Sequence, residues 1–311
     1  MRHYQNPLYI SHGTGDETSG LEQALSLARH NQAPLKVLIV SPEFPKDFPA
    51  YRERYEQALL ERASASIAAA QSALGLDDEA VSVSVELVSD NTPVITIIRR
   101  VISDGHDLVI KEAEPRDQAG GFKSIDMHLL RKCPSAVWLC RPLRQAKKLI
   151  QIAVAIDPGA HEPAAEALSK RMLELSQSLE KKYGGDLHIV SCWDYEFESF
   201  LRGNLWAEIP DSAIEDVVMR TRGEHRLALD KLISDSGISE TAQIHHLRGK
   251  PSELIPEFVS KKNIDILVMG TLARTGIPGF LIGNTAENTV QKLSCSLLAL
   301  KPKGYVSPIK A

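Results

Sequence analysis

The sequence predicts an α/β protein of two tandem domains, each a five-stranded, mostly parallel open sheet with helices on both faces. Short apolar segments rich in Val, Ile and Leu alternate with amphipathic helical segments along all 311 residues, which is the pattern of a parallel sheet covered on both faces. An internal repeat relates two halves at a domain-sized distance. The hydrophobic content of 43% and the charged content of 24% are those of globular domains, and the length suits two of them.

The repeat is clearest where a helix leads into a strand. Residues 93–110 and residues 251–268 each run from a proline through an amphipathic stretch into an aspartate and a short apolar run. The two prolines are 158 residues apart, and so are the two aspartates. A constant offset of this size indicates that a whole domain was duplicated. We therefore predict domains at residues 1–143 and 149–311, with the short basic segment 141–148 as the linker.

Each copy supplies the apolar runs for five strands. In the first copy these runs predict strands at residues 8–12, 35–41, 81–88, 108–110 and 136–139, and helices at residues 21–30, 51–74, 94–102 and 125–132. In the second copy they predict strands at residues 150–156, 187–192, 243–247, 266–269 and 297–300. We expect the last strands of the two copies, 136–139 and 297–300, to pair with each other, because this would hide two sheet edges.

Composition and charge give no support to several classes of protein. The net charge of −4 gives no reason to expect a nucleic-acid or membrane partner. No stretch is long and apolar enough to cross a bilayer, and the polar residues 1–10 lack the apolar core of a signal peptide. The four cysteines have no CxxC spacing, so neither a disulfide framework nor a zinc site of that kind is indicated. We expect a cytoplasmic protein.

A glycine-rich loop follows the fourth strand of the second copy. Four glycines separate the strand from the last helix, at Gly270, Gly276, Gly279 and Gly283. Glycine lets the backbone approach a ligand closely, and Asn284 or Thr285 can cap the helix that follows. A helix start at the carboxyl end of a parallel strand is a favourable place for phosphate. A plain turn is the alternative, because the loop is neither a P-loop nor a GxGxxG motif.

This loop resembles the nucleotide loop of the universal stress protein family, G-x2-G-x9-G-[S/T]. Gly270 and Gly283 match its first and third glycines, whereas Ala273 replaces the second glycine and Asn284 replaces the Ser/Thr. Alanine tolerates positive φ poorly, so the loop is expected to bend differently or to hold phosphate more loosely.

The resemblance extends over essentially the whole chain. The family's aspartate at the end of strand one is matched by Asp157, and its adenine-lining segment of strand two is matched by Val190, Ser191 and Cys192. The segments 283–287, 106–111 and 128–135 resemble the E-type tandem subgroup of this family.

The resemblance implies a stress-response regulatory protein that holds ATP in its second domain. Adenine would lie against Val190, Cys192 and Met269, and ribose near Asp157. The phosphates would lie on the loop, at Gly270, Ala273, Arg274, Gly283, Asn284 and Thr285. Arg274 is either a phosphate donor or a solvated loop residue, and Mg²⁺ remains open as a companion of the phosphates. The nucleotide would shift a conformation that a protein partner reads. No catalytic constellation is visible, so a weak ATPase is the most enzymatic alternative.

The first copy differs at the corresponding positions. Glu112 stands at the 158-residue offset from Gly270, and no series of glycines comes after it. Its first strand ends in Ser11, His12 and Gly13, without an acid like Asp157. A carboxylate beside a buried phosphate is unfavourable. We therefore predict that the first domain is degenerate and does not bind ATP.

Three further features leave alternatives open. The aromatic segment 193–206, with Trp193, Tyr195, Phe197, Phe200 and Trp206, is either a hydrophobic cover, a partner interface or a pocket for an apolar or acyl metabolite. The basic residues Lys123, Arg131 and Lys132 beside His128 form either a solvated face or an anion site. His245 and His246 should face opposite sides of a strand, and no partner at metal-ligand spacing is evident for His12, His128 or His188. A zinc site assembled in three dimensions and a homodimer also stay open.

Overall fold

In the computed structural model of the protein, both halves contribute to one continuous β-sheet. The structure describes residues 4–77, 79–114, 122, 124–143, 149–159, 162–203, 209–238, 241–271 and 283–310. Within these residues, ten strands form a single sheet in the order β3-β2-β1-β4-β5-β10-β9-β6-β7-β8.

Strands and helices alternate along both halves. The strands are β1 (Pro7–Ser11), β2 (Leu35–Ser41), β3 (Val83–Ser89), β4 (Leu108–Glu112), β5 (Ala136–Cys140), β6 (Gln151–Ala155), β7 (Asp186–Trp193), β8 (Gln243–Arg248), β9 (Ile266–Gly270) and β10 (Ser296–Leu300). The helices are α1 (Thr18–Asn31), α2 (Arg52–Ala73), α3 (Pro93–Asp104), α4 (Ser124–Lys132), α5 (Pro163–Tyr183), α6 (Glu198–Gly203), α7 (Asp211–Asp235), α8 (Pro251–Lys261) and α9 (Asn284–Val290). A short 3₁₀ turn, Pro49–Tyr51, precedes α2.

Local sequence signals set several helix ends. α3 and α5 begin at Pro93 and Pro163, and proline is favoured at a first helical position because its missing N–H would be unpaired there anyway. They end before Gly105 and Gly184, which have φ of 67° and 62°. These left-handed conformations favour glycine and stop the helix.

The two halves join at their last strands. β5 and β10 are antiparallel, with Leu298 opposite Trp138 and Leu297 opposite Leu139. Among the described residues, the other neighbouring strands of the sheet pair in parallel. The structure thus confirms the predicted fold class and the predicted pairing of the last strands.

A hydrophobic core lies on each face of the sheet, and both cores cross the junction between β5 and β10. One core contains Leu25 of α1 and Leu173 of α5 together with Trp138 and Leu298. The other contains residues of α3, α4, α8 and α9, among them Leu130 and Val290. Both halves therefore share the apolar burial that stabilises the sheet. No described helix is both long enough and apolar enough to span a membrane.

The segment after β10 returns to the first half and caps α4. Three side chains donate hydrogen bonds to successive carbonyls at the end of this helix. They are Lys301 Nζ to Leu130 O at 2.6 Å, Tyr305 Oη to Arg131 O at 2.8 Å, and Ser307 Oγ to Lys132 O at 2.7 Å. Because the last carbonyls of a helix have no partner within it, these bonds stabilise the end of α4 and fix the C-terminal segment to the first half.

Candidate functional site

A cleft of about 790 Å³ opens at the carboxyl ends of β6, β7 and β8 in the second half. Its volume lies in the range of small-molecule sites. Its walls come from the segments after these strands, from α6 and from α7. The lining residues are Asp157, Gly159, Cys192, Trp193, Asp194, Tyr195, Glu196, Glu198, Ser199, Arg202, Thr221, His225, Gly249, Lys250 and Pro251.

Two of the predicted site residues, Asp157 and Cys192, lie together in this cleft. Asp157 comes after β6, and its Oδ1 accepts a hydrogen bond from the backbone N–H of Gly159 at 3.0 Å. Burial, and then the nearby Asp157 carboxylate, raise the pKa of the Cys192 thiol to about 11. The thiol is therefore protonated at neutral pH and acts as a small, uncharged wall of the cleft rather than as a nucleophile.

Val190 and Met269 lie deeper in the sheet. Their exposed fractions are 1% and 5%, and both side chains pack in the core on the α8 and α9 side. The carbonyl of Val190 accepts a hydrogen bond from Ile156 N at 3.0 Å. These side chains therefore support the strands that carry the cleft and are absent from its lining.

Gly270 ends β9 against helix α5. A Cβ atom at this position would lie 3.1 Å from Cδ2 of Leu168. Packing against α5 therefore favours glycine here whether or not a phosphate approaches. The sequence pattern could not separate these two causes, because both call for the smallest residue.

The two ends of the glycine loop are held at the same edge of the sheet. Thr271 N donates to Leu300 O at 3.2 Å, and Gly283 N donates to Thr271 O at 3.0 Å. Helix α9 then begins with Asn284 and Thr285, both exposed. Ala273 and Arg274, with the loop between them and Gly283, lie outside the described residues.

The aromatic segment after β7 is divided between the cleft and the surface. Trp193 and Tyr195 line the cleft and pack with Ile214 and Val218 of α7. Phe197 and Phe200 are each 62% exposed, and Trp206 lies outside the described residues.

An ion pair holds α6 beside the cleft. Glu198 pairs with Arg248 at the end of β8 and with Arg202 in the next turn of α6. The Arg248 guanidinium also lies 5.5 Å from the centre of the Trp193 ring. Sequence reasoning missed this contact, because it joins residues 50 positions apart that share no motif.

Carboxylates of the chain itself occupy the matching edge of the first half. The registers of β1 on β4 and of β6 on β9 place His12 where the second half has Asp157. Glu17 accepts hydrogen bonds from the Ser11 hydroxyl and, at 2.6 Å, from His12 N. Glu112 accepts one from Gly20 N in α1 at 3.2 Å. Donors that could face a ligand are thereby already bonded within the domain.

A buried ion pair completes this edge. Lys111 and Asp126 are each 0% exposed, with Nζ and Oδ1 2.9 Å apart. Lys111 Nζ also donates to Glu112 O at 3.0 Å. Burial, and next the charge of Lys111, lowers the pKa of His12. At the 158-residue offset Lys111 corresponds to Met269 of the second half, but its pair with Asp126 is a tertiary contact that the sequence did not reveal.

His188 has hydrogen-bond partners that the spacing of residues in the sequence did not reveal. Its Nδ1 lies 3.0 Å from Nε2 of His245, and its Nε2 lies 2.8 Å from Oε1 of Gln151. Gln151 in turn donates from Nε2 to Asp186 at 2.8 Å. With this orientation of the amide, Nε2 of His188 donates to Gln151. A hydrogen bond between the two rings then requires that one of the facing nitrogens, Nδ1 of His188 or Nε2 of His245, carries a proton and the other does not. The missing information was the register of β7 on β8, which brings the two rings together.

The neighbouring His246 lies on the opposite face of β8, as predicted. Its Nε2 lies 2.9 Å from Nδ1 of His225 in α7, and its ring stacks on that of Trp193. Across the described part of the chain, no group of three or more His, Cys, Asp or Glu residues could hold a metal ion.

Comparisons with known proteins agree with a duplicated domain. The profile of the Universal stress protein family matches residues 9–141 and 151–301. Universal stress protein E of Escherichia coli (strain K12) is 31% identical over 323 residues, covering 100% of this chain and 98% of that protein.

A solved structure shares the fold over nearly the whole chain. The crystal structure of a universal stress protein from Pseudomonas aeruginosa UCBPP-PA14 is 23% identical, with a TM-score of 0.70, and covers 97% of this chain and 94% of that chain. The universal stress protein from Archaeoglobus fulgidus in complex with dAMP is 18% identical, with a TM-score of 0.31, and covers 50% of this chain and 100% of that chain.

We expect Asp126→Asn to destabilise the protein by about 3 kcal/mol, because removing one partner of a buried ion pair leaves the other charge uncompensated. Denaturant titration would measure this change. The double variant Lys111→Met/Asp126→Asn should recover much of the loss, since Met fills the space without a charge. An unfolding free energy unchanged in the single variant would show that the pair is unimportant.

We expect the protein to lose stability as the pH falls from about 6.5 toward about 4. Burial and the neighbouring His188 lower the pKa of His245 from 6.5 to about 4. Within this window the unfolded chain binds a proton that the folded chain refuses, so the free energy of unfolding decreases with decreasing pH.

Denaturant titrations at the two ends of this window would measure the effect. The loss should be smaller in His245→Gln, which removes the titrating ring, and unchanged in the control His128→Gln. Equal losses in all three proteins would contradict the assignment.

Proposed function

This chain belongs to the universal stress protein family, and we propose that it is a stress-response regulatory protein whose second domain, residues 149–311, binds ATP. The observation that carries the proposal is the cleft beside Asp157, at the same edge of the sheet as the start of α9. In open α/β sheets, ligands bind outside the carboxyl ends of the strands. The matched nucleotide-loop residues, Gly270 and Gly283, bracket the segment between β9 and α9.

The cleft suits the nucleoside part of the ligand. Its walls carry the carboxylates of Asp157, Asp194, Glu196 and Glu198, which can accept hydrogen bonds from ribose hydroxyls and from an exocyclic amine. Trp193 and Tyr195 supply apolar surface beside them. A cleft with this many charges is a poor site for an acyl chain, because burying them against an apolar ligand costs free energy. This supports a nucleotide over an apolar metabolite.

The phosphates would lie away from these carboxylates, toward α9. Asn284 and Thr285 offer an amide and a hydroxyl there, and Gly283 leaves room for close approach. Gly270 would contribute its backbone groups. A larger residue at this position would press against Leu168. We place Ala273 and Arg274 in the same loop, with Arg274 as a phosphate donor. Mg²⁺, where present, would draw on Asp157 and the phosphates.

In this proposal the first domain, residues 1–143, does not bind nucleotide. The carboxylates of Glu17 and Glu112 and the Lys111–Asp126 pair occupy the corresponding edge. A nucleotide there would face like charges and displace internal bonds.

The biological output is a conformational signal. ATP would favour one arrangement of the loop and of α6, which a partner protein in the cytoplasm would read. Phe197, just before α6, and Phe200, within it, are both exposed, which favours a contact surface for such a partner. Hydrolysis of ATP is not required by this role.

We expect saturating ATP to raise the melting temperature of the wild-type protein and to leave Gly283→Asp unchanged. A ligand at a hundred times its Kd stabilises the folded state by about 2.7 kcal/mol. Gly283 has φ of −62° and ψ of 147°, which any residue can adopt, and aspartate caps helices well. The backbone therefore accommodates aspartate, which would place a carboxylate against the phosphates. Because Gly283 is buried, the melting curve without ATP checks that the variant folds. Differential scanning fluorimetry with increasing ATP would measure both proteins.

The matched control is Gly15→Asp, at the same edge of the first domain, where no atom lies within 4 Å of an added Cβ. It should keep the full response to ATP. A wild-type melting curve that ATP does not move would refute the proposed function. A response lost in Gly15→Asp and kept in Gly283→Asp would place the nucleotide in the first domain and refute binding by the second.

A further inference from the structure

An ion pair links the first half to the helix that begins at the glycine loop. The guanidinium of Arg131, in α4, contacts the carboxylate of Glu287, in α9. Their side chains are 27% and 24% exposed, so the pair is only partly screened by water. The two residues are 156 positions apart and belong to opposite sides of the β5–β10 junction. The basic run on α4 is therefore more than a solvated face.

The segment after β10 holds the backbone around Arg131 in place. Its carbonyl accepts the hydrogen bond of Tyr305, while Lys301 and Ser307 bind the carbonyls on either side of it. These three bonds fix the last turn of α4. A side chain anchored on a fixed backbone can position its partner more sharply than one on a frayed helix end.

Glu287 lies one helical turn from the proposed phosphate position. Its backbone N–H donates to the carbonyl of Gly283 at 2.8 Å, which closes the first turn of α9. A carboxylate here is favourable for an empty helix, because it faces the positive end of the helix dipole. It is unfavourable once phosphate arrives, because the two negative charges repel each other over a few ångströms.

We propose that Arg131 is a positioning residue for ATP in the second domain. Its guanidinium neutralises Glu287 and holds the first turn of α9 in place, so the half without a nucleotide loop supplies a charge that the nucleotide site of the other half needs. This inference rests on the proposed function, since it concerns the same site. It assigns to the first half an indirect role in binding, exerted through Glu287 and α9.

The test is the affinity of the full-length protein for ATP, ADP, AMP and adenosine, measured by isothermal titration calorimetry. Arg131→Ala should weaken ATP binding about tenfold, since it leaves the Glu287 carboxylate unpaired near the phosphates. The loss should shrink from ATP to AMP and disappear for adenosine. The matched control Lys132→Ala, in the next position of α4, should bind ATP like the wild type.

Charge removal separates neutralisation from loss of structure. Glu287→Gln should bind ATP at least as tightly as the wild type, and Arg131→Ala/Glu287→Gln should regain most of the affinity lost in Arg131→Ala. If Arg131→Ala does not fold, Arg131→Met and the Glu287→Gln variant are compared instead.

The two proposals fail differently. If the wild-type protein binds none of the four ligands, the proposed function is refuted. A wild-type protein that binds ATP, together with Arg131→Ala of the same affinity, overturns only the role of Arg131. A double variant as weak as Arg131→Ala also overturns it, because neutralising Glu287 would then bring no benefit.

Discussion

The pairing of β5 with β10 is the constraint on which the rest of the structure depends. Each half alone would leave the backbone N–H and C=O groups of its last strand unpaired at a sheet edge. Antiparallel pairing satisfies both edges at once, with Leu298 opposite Trp138, and lets the cores on the two faces run from one half into the other. It also puts α4 and α9 on one face, where Arg131 reaches Glu287, and lets the segment after β10 cap α4.

The carboxyl edges of the two halves differ in which element, the strand or the helix packed on it, carries the glycine at their contact. In the second half Gly270 makes room for Leu168 of α5, with 3.1 Å between the Leu168 Cδ2 and an added Cβ. In the first half the helix carries the glycine instead, since a Cβ on Gly20 would lie 3.0 Å from Oε2 of Glu112. The same strand arrangement carries an open cleft in one half and a set of internal hydrogen bonds and ion pairs in the other.

The sequence predicted the fold more fully than the site, and the difference is physical. Apolar runs and the constant offset report local burial and duplication, so strand β2 (Leu35–Ser41) was predicted with both its ends. Contacts such as His188 with His245, or Glu198 with Arg248, depend on strand register and on helix placement. Neither leaves a periodic pattern in the chain. Glu17 was missed for a related reason: its carboxylate turns back to Ser11 and His12, and only the folded loop shows this.

Joining the two halves in one polypeptide breaks a symmetry that identical subunits must obey. In a two-fold dimer of identical chains every contact occurs twice, so each substitution alters both copies of it. Here β5 begins at Ala136 and β10 at Ser296, and the same shift relates Arg131 to Gln291 and Glu287 to Met127. Gln and Met cannot form the reciprocal ion pair, so the bridge between α4 and α9 exists once. Fusion thus allows each half to carry contacts that a pair of identical subunits would have to carry twice or not at all.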